Sequence, residues 1–276
     1  MKQYLDILNK CYEEGVDVDS RSGKVRKLFG NQMRFDLKEG FPAITTKKLA
    51  WKAVVSELLW FIEGSNDERR LAEILYEKDR KELKEKKTIW TLNANSSYWK
   101  PHANFEGDVG EIYGVQWRNF NGIDQIDELI KSLKKFPHQR RHILTAWNPS
   151  RIDKMSLPPC HAFSQFYVQN NKLSCQLYQR SCDMFLGVPF NISSYSLLTH
   201  MLARECDYEV DEFVHTLGDY HIYHEHFPQV KEQLGRKPYA LPKLKFKTKE
   251  FFKYKASDFL LDDYNHHTIL KAGMNV

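Results

Sequence analysis

Residues 157–191, LPPCHAFSQFYVQNNKLSCQLYQRSCDMFLGVPFN, constrain what this chain can fold into more than any other stretch. From His161 the run alternates as a strand does, Asn170-Asn171 turns the chain, and LSCQLYQ makes a second strand that ends on Arg180 and Ser181. Pro158 and Pro159 fix the backbone ahead of Cys160 and the strand fixes it behind. A thiol in that setting is held still rather than carried on a loop tip. Cys160 then reads either as a small buried hydrophobe, the usual fate of a free cysteine, or as a positioned nucleophile. The guanidinium of Arg180 is a fork suited to phosphate or carboxylate.

The remaining chain adds helices and further strands around that core. Residues 1–14 place Tyr4, Leu5, Ile7, Leu8 and Cys11 at helical spacing, and Gly15 ends the run. Residues 19–48 alternate between glycines, as strands and tight turns do, with Arg21 in an SRSG turn where a charge is ordinarily just solvated. Residues 49–66 form a strongly apolar helix with Glu57 on the border of its apolar face. Partial desolvation there raises a carboxyl pKa toward neutrality, unless the side chain simply pairs with a lysine. Residues 67–87 read as a charged, helical, peripheral insertion. Residues 123–133 read as another amphipathic helix, and HILTAW after Arg140-Arg141 as a strand. Residues 187–205 read as a turn into a buried helix with Asn191 near its start, a place where an asparagine often caps. His221 and Tyr223, two apart on a strand, point the same way. The end of the chain reads as a basic, mobile strand and tail.

Composition narrows the functional class. At 276 residues the chain suits one domain, residues 1–276, without repeat or linker. A net charge of +5 is dispersed rather than gathered on one run, which argues for small anionic ligands over a nucleic-acid surface. The five cysteines have neither CxxC nor zinc spacing, and His215, His221 and His226 lack the carboxylate partners of a metal site. Reduced thiols, no membrane-length apolar run and no signal-peptide core lead to an expected cytoplasmic location with no metal.

PPCHAFxQFYV followed by LSCQLYQRSxDxFLGVPFNIxSY closely resembles the central signature of thymidylate synthases, and the likeness runs from Asp19 to Val276. The resemblance implies an α/β fold with a large mixed sheet flanked by helices, packed sheet to sheet in a homodimer. It assigns Cys160 as nucleophile, and Glu57 (in ELLWF), Tyr113, His161 and Asn191 as its catalytic company. Arg21 and Arg180 would meet the nucleotide phosphate, joined by Arg140 and Arg141 from across the dimer, and Ser181 would bind the substrate. His221 and Tyr223 would meet the sugar. Asn191 would pair with the edge of uracil, where the related cytidylate hydroxymethylases carry aspartate. Trp90, Asp183, Gly187 and Val276 would border the co-substrate, 5,10-methylenetetrahydrofolate.

The chain departs from the family pattern at several places. Ser22 replaces the threonine of the RTG loop, Thr91 the aspartate of IWD, and Glu111 the proline of GDLGPVYG. Glu225, Pro228, His267 and Asn275 are further changes. The resemblance thus implies methyl transfer to deoxyuridylate, with thymidylate and dihydrofolate as products. Its alternative is a deoxyuridylate hydroxymethylase, in which water rather than hydride attacks the shared intermediate. Polarity added by Glu111 and Asn275, and the carboxylate lost at Thr91, are the features that favour that alternative.

Overall fold

A computed structural model describes residues 1–274. Helices are α1 (Lys2–Glu14), α2 (Trp51–Glu63), α3 (Glu68–Tyr76), α4 (Thr91–Ala94), α5 (Tyr113–Arg118), α6 (Gln125–Lys135), α7 (Gly187–Glu205) and α8 (Phe227–Leu234). Strands are β1 (Val16–Ser20), β2 (Gly23–Asp36), β3 (Ile143–Thr145), β4 (His161–Gln169), β5 (Lys172–Asp183), β6 (Glu209–Tyr223), β7 (Lys243–Phe246) and β8 (Phe259–Asp262). Six of the strands make one mixed sheet in the order β1-β2-β6-β5-β4-β3. Its β5–β6 pair is parallel and the other pairs are antiparallel.

The β4–β5 hairpin turns at Asn170 and Asn171, both with φ near +50° (49° and 58°), which asparagine tolerates better than most residues. Alternation along β5 buries Leu173, Cys175, Leu177 and Gln179 under α7, whose nineteen residues are buried nearly all round. α1 covers β2, and α2 packs on α7 and carries Val54, Val55, Leu58 and Leu59 into the same core. The opposite face is uncovered. There Ile143, Phe163 and Tyr167 stand 45%, 41% and 55% exposed, in register with Gln165, Tyr178 and Ser174 respectively.

Two expectations change in the structure. Residues 67–87 are helical only as far as Tyr76, followed by a single 3-10 turn at Arg80–Glu82. They are not simply peripheral, because Glu68, Leu71 and Ala72 are buried against α2. As far as Gly273 the described chain is held down rather than loose. His226 Nε2 meets Gly273 O at 2.8 Å, Gln229 donates to Lys271 O, and His267 N donates to Thr45 O.

One glycine shows how tightly the site's strands approach. A Cβ built on Gly218 would lie 2.8 Å from Arg180 O and 3.1 Å from both Arg180 Cα and the Tyr178 hydroxyl. Gly218→Ala is therefore expected to push β6 away from β5 at the arginine and to destabilise the fold by about 1–3 kcal/mol, read from urea unfolding.

Candidate active site

Cys160 lies at the entry to β4, and a register shift between His161 and Phe163 re-aims the strand immediately after it. Its backbone is pinned from three directions. Cys160 N donates to the Tyr113 hydroxyl at 2.7 Å, and Cys160 O accepts from Arg180 N at 2.8 Å. Arg180 also donates from Nε to Pro159 O and from Nη2 to Pro158 O, both at 2.8 Å. The prolines cannot donate, so their carbonyls are the groups available to be held, and two of the five guanidinium donors hold them.

The thiol itself departs from expectation. Burial pushes the Cys160 thiol above its ordinary value, and the counteracting influence of Arg180, with hydrogen bonds from Tyr113 and Ser181, is smaller. Arg180 lowers the thiol but less than burial raises it, and two of the guanidinium's donors are committed to proline carbonyls.

Two cavities meet beside Cys160. One, of about 350 Å³, is lined by Arg21, Cys160, Arg180, Ser181, His221 and Tyr223. The other, of about 440 Å³, is lined by Lys47, Glu57, Trp90, Leu186, Ile269 and Leu270. Tyr113, His161, Asp183, Gly187, Asn191 and Met274 border both. The first chamber is cationic and rich in donors, suited to an anion with hydroxyls. The second is largely apolar with an indole wall, suited to a flat ring system.

Asn191 does not cap a helix. α7 begins at Gly187 with Leu186 at the cap position, so Asn191 sits in the helix's second turn, buried but facing both chambers. Asp183 is the residue that anchors the entry to α7, its Oδ1 accepting from Phe185 N and Leu186 N. His221 and Tyr223 share a face of β6, with ring centroids 5.4 Å apart, and Asp219 meets His221 Nδ1 at 3.1 Å.

Glu57 lies deeper than the border position read from the sequence. It is 5% exposed, because α2 is enclosed on nearly every side, and no lysine pairs with it among the described residues. Its Oε1 accepts the Trp90 indole N–H at 2.7 Å. Burial pushes the carboxyl up to about 7, against the smaller lowering effect of that indole bond. His161 stacks on Tyr113 with centroids 3.9 Å apart, and its Nδ1 meets the Tyr195 hydroxyl at 2.8 Å. Burial, then His215, push it down to about 3, so it works as a neutral ring near pH 7.

Other sequence expectations are relocated. Glu111 faces outward, 3.5 Å from Arg151 and 4.0 Å from Lys154, and lines neither chamber. Thr91 turns its hydroxyl onto Glu68. Arg140 and Arg141 are exposed and line neither chamber of this chain. Asn275 and Val276 lie outside the described residues. Among the described residues there is no group of three or more His, Cys, Asp or Glu arranged to hold a metal, and no helix is long and apolar enough to cross a membrane.

Three residues escaped the sequence reading. Lys47 is buried, donates to Phe185 O, and is pushed by burial down to about 8. Asn93 lines the first chamber with a buried Nδ2 that has no partner among the described residues. Tyr195 reads as core from its helical phase, yet its hydroxyl orients His161. Only tertiary packing brings these groups to the site, so no local pattern marks them. A protein-family comparison matches the model described as thymidylate synthase to residues 2–276 of this chain.

Proposed function

The chain belongs to the thymidylate synthase family, and from that premise we propose that it methylates deoxyuridylate at ring carbon 5, yielding thymidylate and dihydrofolate. The observation that carries the proposal is the meeting, at Asn191 and His161, of a cationic chamber that holds Cys160 and an apolar chamber. Deoxyuridylate suits the first: Arg21, Arg180 and Ser181 take the phosphate, and His221 with Tyr223 takes the sugar. Methylenetetrahydrofolate, the family's co-substrate, suits the second. Trp90 and Ile269 offer walls for its ring. Bound there, it supplies the one-carbon unit and, for a methyl product, the hydride.

The residues of this chain do the rest. Cys160 loses its thiol proton to solvent, the thiolate sulfur bonds to ring carbon 6, and the displaced electron pair moves toward the carbonyl oxygen at carbon 4. Asn191 receives that charge through its N–H while its oxygen accepts the ring N–H. Glu57, near neutrality in its own titration, donates toward the same oxygen through ordered water. Tyr113 and neutral His161 orient the water that removes the proton from carbon 5. Cys160 leaves with its bonding pair when the product is complete.

Apolar cover favours hydride over water at the last step. Met274 borders both chambers and Ile269 walls the second, while Glu111 points away from both. The uncovered sheet face, with Phe163, Tyr167 and Ile143, suits a second copy of the chain and would bring Arg140 and Arg141 to its neighbour's phosphate.

The test is to incubate the protein with deoxyuridylate and methylenetetrahydrofolate and weigh the nucleotide. The expected gain is one methyl, with dihydrofolate in equal amount. A hydroxymethyl gain with tetrahydrofolate released would make the protein a hydroxymethylase instead.

A second outcome follows from the amide. Asn191→Asp is expected to lower kcat/KM on deoxyuridylate on the order of 10³-fold, because an ionised carboxylate cannot donate to the carbonyl. Turnover of deoxycytidylate should rise in the same variant, since a carboxylate accepts from the cytosine amino group where uracil offers only a carbonyl oxygen. Unchanged discrimination would remove Asn191 from base recognition.

A further inference from the structure

Glu68 is the first residue of α3 and is only 1% exposed, yet it lines neither chamber. Its Oε1 accepts from the Thr88 hydroxyl at 2.6 Å and from the Thr91 hydroxyl at 2.5 Å, while Arg69 Nε donates to Oε2 at 2.6 Å. Burial by itself would raise this carboxyl, but Arg69 and the two hydroxyls together hold it below its ordinary value, as an anion. Each hydroxyl also accepts a backbone N–H. Trp90 N donates to Thr88 Oγ1 at 3.1 Å, and Thr88 N donates to Thr91 Oγ1 at 2.8 Å. With its single proton given to Glu68, each threonine oxygen is turned so that a lone pair meets that N–H. The turn that carries Trp90 is thereby fixed at both ends, and the indole of that same residue donates to Glu57.

We propose that Glu68 is a positioning residue for the reaction: by clamping Thr88 and Thr91 on either side of Trp90, it holds the indole N–H on Glu57. The inference rests on the acid–base reading of Glu57 given above. It also accounts for the threonine at position 91, where the family pattern carries aspartate. A hydroxyl there needs an acceptor, and α3 provides a carboxylate from the neighbouring element. Other groups near Glu57 leave the indole as its main modulator. Tyr113 from α5 and Tyr195 from α7 are both raised well above their ordinary values by burial, and His161 from β4 is neutral. Lys47 lines the same chamber but is bonded to Phe185 O.

The experiment measures turnover of deoxyuridylate against pH for the wild type, Glu68→Ala, Glu68→Gln, Trp90→Phe and the Glu68→Ala/Trp90→Phe double variant. Glu68→Ala is expected to lower kcat roughly ten-fold, with KM for deoxyuridylate within about two-fold. Its pH midpoint for Glu57 should move upward, because a loosened indole no longer favours the anion. Glu68→Gln keeps an acceptor oxygen for both hydroxyls and should restore most of the rate and the midpoint. On the Trp90→Phe background Glu68→Ala should shift the midpoint no further. An unchanged midpoint in Glu68→Ala, or a shift that persists undiminished without the indole, overturns the inference. If Glu68→Ala fails to fold, Thr91→Val removes one hydroxyl bond while leaving Arg69 on Glu68. Its shift must likewise vanish on the Trp90→Phe background, or the inference falls. A wild type that does not turn over deoxyuridylate overturns the functional reading instead.

Discussion

Replacing Cys160 with serine is expected to cut turnover of deoxyuridylate at least on the order of 10³-fold while leaving nucleotide binding within a few-fold. The two readouts separate because the groups assigned to the nucleotide under the proposed function are independent of the thiol. Arg21, His221 and Tyr223 come from the β1–β2 turn and β6, and Arg180 is locked to Pro158 and Pro159 by their carbonyls rather than by sulfur. Serine is smaller by the difference between oxygen and sulfur, keeps the Tyr113 bond to the backbone N–H, and lacks a thiolate's nucleophilicity. Calorimetric titration of deoxyuridylate and a stopped assay read the two quantities. The upward shift of the Cys160 thiol adds a pH test. In the unliganded protein the thiolate fraction at pH 7 is small, so alkylation by iodoacetamide should be slow there and climb through the alkaline range without levelling near neutrality. A serine variant within ten-fold of wild-type turnover would remove the covalent step from the mechanism.

What could be read from the chain alone follows a physical division. Periodicity reports which side of an element is buried, and it reported α7 well: residues 187–205 are the helix observed. The turn at Asn170-Asn171 was legible because few other residues accept that backbone. Partners distant in sequence were not legible. Glu57 and Trp90 are 33 residues apart, and Cys160 and Tyr113 are 47 apart; nothing in either local pattern announces the bond. Direction misled as well. Glu111 occupies a motif position beside Tyr113, but being next to a site residue does not orient a side chain toward the site, and its carboxylate turns to Arg151. The same holds for residues 67–87, where charge suggested solvent and a buried Glu68 was satisfied instead by Arg69 and two threonines. Cys160 was legible as a position but not as a titration, because desolvation depends on everything packed around it.

Glu57→Gln is expected to lower kcat by about 10²–10⁴-fold and at the same time to stabilise the protein above neutral pH. Both effects have one cause. Burial lifts the Glu57 carboxyl from the ordinary 4.5 to about 7, which places its proton within reach of chemistry at neutral pH. As a donor toward the carbonyl oxygen it must be protonated, so the wild-type rate should fall as pH rises through about 7, and that limb should be absent in the glutamine variant. For stability the sign runs against that of a paired carboxylate. Between 4.5 and about 7 the folded state binds the proton and the unfolded state does not, so stability declines as pH climbs through that window. Above it, a shift of this size costs up to about 3 kcal/mol in the folded state. Glutamine keeps an oxygen for the Trp90 N–H and has no charge to bury, so it escapes the cost. The stability difference between variant and wild type, read from urea unfolding at pH 8 and again at pH 5, should be large at the first and small at the second. A difference independent of pH would mean that Glu57 is ionised in the folded protein throughout, and that it does not donate the proton assigned to it.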